Sequence, residues 1–259
     1  MKQFRIACQS ITFGQEMNRN HMDEVMKTVA ACGYEGIEVG FRHLDPEKAD
    51  WYKDLLDANS LEMVALHIGG DFMEADSVSR QMDSLTSAIA LAHILGCKNI
   101  FISGKYSPDK QPADYIAEVD NYNRIGGMLR RAGLTLSYHN HYWEFENQAA
   151  GFHTIAERTA PENMSFVPDV GWITKAGYDP VVILKEIRTR ISNLHFKEFN
   201  SEGEIAELGA GIVDFRAVIR YMKGQGDMWL VAEQDRTKKT AAESVRDNFV
   251  FIRDLLGKI

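Results

Sequence analysis

No apolar run in this chain approaches the roughly 20 residues that a bilayer crossing needs. Its three cysteines, Cys8, Cys32 and Cys97, stand far apart with no C-x-x-C pair among them. The first absence excludes a helical membrane span. The second excludes a disulfide framework and a cysteine zinc site, so the cysteines are expected to be small apolar fillers in a reducing compartment. Positive charge is also short: 29 Lys and Arg face 37 Asp and Glu, for a net charge of -8 and a pI near 5.5. A field of that sign repels nucleic acid and anionic membranes. The N-terminal MKQFRIACQS enters a strand-like alternation without the apolar stretch and small-residue cleavage site of a leader, so a cytoplasmic protein is expected. The turn QSITFGQEMN lacks the G-x-G-x-x-G of a dinucleotide fold. No linker rich in Gly, Ser or Pro divides the chain, and no tract is of low complexity.

What is present is a core and a rhythm. Hydrophobic residues make up 45% and charged residues 25% of the chain, ordinary for a globular protein with a sizeable interior. Short runs rich in Ile, Val, Leu and Phe alternate with segments of helical period. FRIACQS, GIEVG, MVALH, NIFIS, TLSYH, SFVPD, SNLHFK and MWLVAE read as strands, and a helical segment follows each. In the first helix Met22, Val25, Met26 and Val29 share a face, and Gly33 follows as a C-cap. Pro46 sits at the first turn of the next helix, where its missing N–H costs nothing. Further helices are expected over residues 76–95, ended by Gly96, and over 112–132, ended by Gly133. Eight strand-then-helix units fit either an open doubly wound sheet or a closed (β/α)8 TIM barrel. Their number, in a chain of 259 residues, favours one barrel domain over residues 1–259.

Barrels of this kind carry their chemistry at the C-terminal ends of the strands. Here those ends read Gln9, Glu38, His67, Ser103 with Lys105, His139 with His141, Asp169, His195 with Lys197, and Glu233 with Gln234 and Asp235. Carboxylates and imidazoles converging from separate strands suit a divalent cation, with Mn²⁺, Co²⁺ or Zn²⁺ a better match than Mg²⁺ to a mixed O/N set. Asp169, His195 and Glu233, each ending an apolar strand, are read as ligands. His21, His43, His93 and His153, on helices or loops, are read as structural.

FVPDVGW, NLHFKEF, LGAGIVDF and LVAEQD, with GYEGIEVG nearer the N-terminus, resemble the xylose-isomerase-like TIM-barrel superfamily of sugar phosphate isomerases/epimerases, in particular its inosose-dehydratase-like branch. The resemblance implies one divalent cation held by Glu, Asp, His and Glu from strands five to eight. Asp169, His195 and Glu233 match the last three. For the first, His139 holds the strand-end position, whereas Glu144, five residues on, keeps the usual ligand charge. The turn NHYW favours Glu144 if it folds back over the mouth, leaving His139 and His141 to face substrate.

The implied activity is metal-dependent isomerisation or epimerisation of a sugar, keto-sugar or related polyol, through α-proton abstraction and a metal-stabilised enediolate. Glu233 and Glu144 are candidate bases, with His141 or His67 as partner. Lys197 lies on the same face as His195 by the strand period of two, and serves either to neutralise an oxyanion or to make a structural ion pair. Trp172 and Trp143 either stack on a sugar ring or simply pack. Glu38 and Gln234 complete the expected substrate contacts. Loss of water from an inosose or 3-keto-sugar shares the same first step and is the alternative. A non-catalytic sugar-binding barrel and an endonuclease IV-like nuclease are the further ones. The glycines of LGAGIVDF are read as a turn into a helix capped by Asp214, so the substrate is expected to be unphosphorylated. Whether the protein forms a homo-oligomer is open.

Overall fold

The computed structural model describes residues 3–108 and 110–259. The chain opens with β1 (Phe4–Gln9), α1 (Gly14–Asn20), α2 (Met22–Cys32), β2 (Gly36–Gly40), α3 (Ala49–Ala58), β3 (Glu62–Gly70) and α4 (Ala75–Leu95). It continues with β4 (Asn99–Gly104), α5 (Pro112–Arg131), β5 (Thr135–Tyr138), α6 (Glu146–Arg158), β6 (Ser165–Phe166), α7 (Val170–Lys175) and α8 (Pro180–Glu186). The last elements are β7 (Leu194–Phe196), β8 (Glu198–Phe199), β9 (Ile205–Ala206), α9 (Phe215–Met222), β10 (Met228–Ala232) and α10 (Ala241–Leu256).

Eight parallel strands form one sheet in the order β6-β5-β4-β3-β2-β1-β10-β7. Its two outer strands meet at a seam. The Ser192 N–H donates to the Phe166 carbonyl at 2.8 Å and the His195 N–H to the Pro168 carbonyl at 2.9 Å, with Asp169 bridging to His195. Closure satisfies the backbone groups that an open edge would leave unpaired. It also sets Asp169 beside His195.

The strand period of two divides the side chains between two cores. Outward residues such as Ile6, Ile37, Leu66, Ile100, Leu136, Leu194 and Leu230 pack against the helix ring. Inside the barrel a small second core holds Ala7, Val64, Ala65, Phe101, Val167 and Val231. One step further along the same inward rows stand Gln9, Glu38, His67, Ser103, His139, Asp169, His195 and Glu233. The apolar layer is therefore the floor beneath a polar mouth.

The expected helices are present, and Gly33 and Gly96 end α2 and α4 in left-handed conformations. Pro46 begins a 3-10 turn that leads into α3. Asp214 caps α9 by accepting from the Ala217 N–H at 2.9 Å. Cys8 and Cys97 are buried and Cys32 half-buried, all three as free thiols. Among the described residues no helix is long and apolar enough to cross a membrane.

Three local features exceed the simple alternation expected. Helix α1 precedes α2, the antiparallel pair β8–β9 follows β7, and α7 precedes α8. Turn chemistry explains the pair: Asn200 Oδ1 accepts from the N–H groups of Glu202 and Glu204 at 3.1 and 2.9 Å, and Gly203 takes φ +76°. Helix α7 starts because Asp169 Oδ1 accepts from the Trp172 N–H at 2.9 Å, an N-cap made by a residue of the mouth.

Helix α7 lies so close to β7 that a Cβ on Gly171 would fall 2.2 Å from the Lys197 carbonyl oxygen. Backbone cannot yield cheaply there. The Gly171→Ala substitution is expected to cost about 1–3 kcal/mol as an overpacked contact. Urea unfolding checks this, and an unchanged midpoint would contradict the close approach.

Candidate functional site

Four strand ends deliver His139, Asp169, His195 and Glu233 to one point, each offering a ligand atom within 4.8 Å of the others. All four residues are buried. Nδ1 of His195 lies 2.7 Å from Glu233 Oε2, and Nε2 of His139 lies 3.3 Å from the same oxygen and 3.6 Å from Asp169 Oδ2. With its Oδ1 engaged in capping α7, Asp169 keeps Oδ2 buried and without a hydrogen-bond partner. A buried carboxylate oxygen that nothing donates to is costly, and a cation shared by the four side chains would satisfy it. Two imidazole nitrogens and two carboxylates make a mixed set suited to a divalent transition metal. The residues present therefore fit such an ion.

Behind this cluster a second set of side chains fixes it. Glu38, fully buried, lies 2.7 Å from His195 Nε2 through one oxygen and 2.8 Å from His67 Nδ1 through the other. His67 Nε2 in turn lies 3.1 Å from Ser103 Oγ. With Nε2 directed at Glu38, His195 presents Nδ1 to the cluster, the carboxylate–imidazole arrangement that orients metal-binding histidines. Burial opposes the charge on Glu38, but His195 and His67 outweigh it and hold its carboxyl down at about 2. Burial likewise opposes a proton on His195, and Glu38 and Glu233 overcome it, raising that imidazole to about 10.

Lys197 is buried beside three carboxylates, with Nζ 2.7 Å from Asp235, 3.2 Å from Glu233 and 3.8 Å from Asp169. Burial works against its charge, but these partners raise its pKa. Burial, then the neighbouring His139 and Lys197, lower the pKa of His141 well below the ordinary imidazole value. A cavity of about 220 Å³ opens above the cluster, with His67, His139, His141, Glu233 and Asp235 in its wall.

The structure departs from the expected site at several positions. Glu144 is not with the other three expected ligands; His139 takes that place. Strand β5 turns Tyr138 outward, and the Tyr138 hydroxyl donates to Glu144 Oε1 at 2.7 Å while the His141 N–H donates to Oε2 at 2.7 Å. The NHYW turn thus folds Glu144 behind the strand, where it pins the turn. Glu38, expected to touch substrate, sits below the cavity as the partner of two histidines. Trp143 stacks on His141 at 4.0 Å and 9°, so that ring face is covered. Trp172 lies under Lys197, 4.6 Å from Nζ to the ring centre, and 4.7 Å from Phe199. Together with Gln234 it borders a second groove, which shares Asp235 with the cavity.

Of the histidines read as structural, His21 and His153 meet surface carboxylates and His93 lies 2.9 Å from the Ala132 carbonyl. His43 differs. With Ser10 and Arg42 it lines the cavity from the ends of β1 and β2. The strand-end rule that found the other residues applies equally to FRH after GIEVG, and would have found this pair.

Comparison with known proteins agrees with this architecture. The family described as xylose isomerase-like TIM barrel matches residues 26–255. An inosose dehydratase of Lacticaseibacillus casei is 22% identical, over 85% of this chain and 85% of its own. Among solved structures, the IolI protein with a bound zinc atom aligns with a TM-score of 0.81 at 15% identity, over 98% of both chains. The 3-keto-D-glucoside 4-epimerase of E. coli aligns with a TM-score of 0.78 at 15% identity, covering 97% of this chain and 99% of that one. These structural likenesses show the barrel. With the family match spanning most of the sequence, the chain belongs to the xylose isomerase-like TIM barrel family.

Proposed function

We propose that this protein is a divalent-metal-dependent isomerase or epimerase that acts on a sugar, keto-sugar or related polyol by moving a proton α to a carbonyl. The observation that carries the reading is a four-donor cluster whose His139 and Glu233 open onto a small cavity that His141 also lines. His139, Asp169, His195 and Glu233 are the residues that would hold the cation. Bound there, it supplies Lewis-acid polarisation of a carbonyl and its neighbouring hydroxyl. The nearby zinc-bound IolI structure supports a transition metal over Mg²⁺.

The remaining steps belong to the chain. Glu233 turns Oε2 to the cluster and Oε1 to Lys197, so it is placed to accept a proton while Lys197 balances its charge. His141 lines the same cavity and has a buried Nδ1 without a partner, which makes it the second group for proton return. Its stack on Trp143 fixes the ring plane. Lys197 stands outside the cavity wall, 3.2 Å from Glu233 and 2.7 Å from Asp235, as a fixed positive charge beside the proton-accepting carboxylate.

Dehydration is the second reading, supported by curated relatives that are inosose dehydratases. It shares the proton abstraction and differs in expelling the β-hydroxyl group, which takes up a proton and leaves as water. The nuclease reading gains no support: endonuclease IV-type enzymes need several zinc ions, and the described residues hold one such donor group.

Metal content tests the ligand set. Alanine at His139, Asp169, His195 or Glu233 is expected to lower metal affinity beyond the roughly 10–100-fold that loss of an outer partner costs. Glu144→Gln is expected to keep its metal. Retention by Asp169→Ala and His195→Ala together would end the assignment. Mass spectrometry in deuterated water with a panel of keto-sugars and inososes tests the reaction. Deuterium gain at constant carbon skeleton and water content is the expected result. Loss of the mass of water means dehydration, and binding without exchange means that the barrel is not catalytic.

A further inference from the structure

The cavity has two chemically unlike walls. One carries Glu233, Asp235 and His139; the other, from the ends of β1 and β2, carries Ser10, Arg42 and His43. Among the described residues the ion pairs around the cavity run through His67, His139, His195 and Lys197, and none runs through Arg42. The bond Arg42 does make is informative: its Nε donates to His43 Nε2 at 3.2 Å.

Two consequences follow from that bond. Because His43 accepts at Nε2, its proton resides on Nδ1, which is buried and has no partner. Because Nε of Arg42 is used, the two terminal NH2 groups are the part of the guanidinium left for a ligand. A pair of parallel N–H groups matches the two oxygens of a carboxylate. Ser10, 1% exposed, adds a second unpartnered polar group in its buried Oγ. Burial, then Arg42 and Arg19, lowers His43 to about 4, so the ring is neutral near pH 7 and serves as a dipolar donor.

We propose that this wall is an anion subsite and that the substrate is a keto-sugar or polyol acid whose carboxylate is held end-on by Arg42. The proposal rests on the function inferred above for the opposite end of the substrate. His43 is the positioning residue that aims the guanidinium. Arg42 is the one guanidinium among the residues that line the cavity, and with neutral donors beside it that charge matches a monoanion; Arg19 acts on His43 from outside the lining. Binding energy gained at this remote group is available to hold the reacting carbons over Glu233 and His141.

The test is calorimetric titration of the metal-loaded protein with D-glucuronate, D-glucose and glucose 6-phosphate, repeated with Arg42→Met and Arg42→Lys. Glucuronate is expected to bind at least about tenfold more tightly than glucose, as a charged hydrogen-bonded pair supplies. Arg42→Met is expected to erase that preference, and Arg42→Lys to restore only part of it because the fork is lost. Equal binding of acid and neutral sugar, no glucuronate binding at all, or an undiminished preference in Arg42→Met would overturn the proposal. An Arg42-dependent preference for the phosphate would overturn the carboxylate assignment. Metal content is read on the same samples. Metal present without acid preference sinks the subsite alone, whereas metal absent from the wild type sinks the function inferred for the mouth.

Discussion

Charge buried away from water has to find opposite charge, and at the mouth of this barrel that requirement organises nearly everything. Glu38, Asp169 and Glu233 are buried and Asp235 is half-buried beside them, while among the described residues Lys197 is the one permanently cationic side chain paired with this group. The histidines make up part of the difference: His195 bridges Glu38 and Glu233 and is driven toward its protonated form by both. A divalent cation held there would compete with protons for the same negative charge. An arrangement that only stabilised the fold would be better served by apolar side chains of the same volume.

The fold supplies this arrangement through closure. The seam between β6 and β7 is made by a few backbone bonds, and it is there that Asp169 and His195 become neighbours. Asp169 does two things at once, capping α7 with one oxygen and facing the cluster with the other. Gly171 lets that helix sit against the Lys197 backbone. Barrel integrity and site geometry are accordingly one problem at this seam. Glu144 belongs to the same logic on the outer side, tying the turn after β5 so that His139 and His141 face inward.

Much of this was legible in the sequence. Alternating apolar runs and helical segments gave eight units, and the rule that strand ends carry chemistry picked out His67, His139, Asp169, His195, Lys197 and Glu233. Roles were harder to read, because they depend on which way a turn folds. Glu144 looked like a ligand by charge, yet the outward Tyr138 captures it. Glu38 shares an inward row with the site residues but lies outside the cavity lining, between His195 and His67. Trp143 and Trp172 are aromatic residues near a small cavity, and each has one ring face against a neighbour, Trp143 against His141 and Trp172 against Lys197. Arg42 and His43 were passed over because a histidine in a loop is ordinarily structural, although His43 follows β2 as closely as His141 follows β5.

The central claim is that His139, Asp169, His195 and Glu233 hold one divalent cation. Anomalous X-ray diffraction from crystals grown with Mn²⁺ or Zn²⁺ tests it most directly. The account expects a single strong peak at the mouth, about 2.0–2.3 Å from a donor atom of each of the four. A peak elsewhere, or one in which Glu144 has displaced His139 from the set, would contradict it.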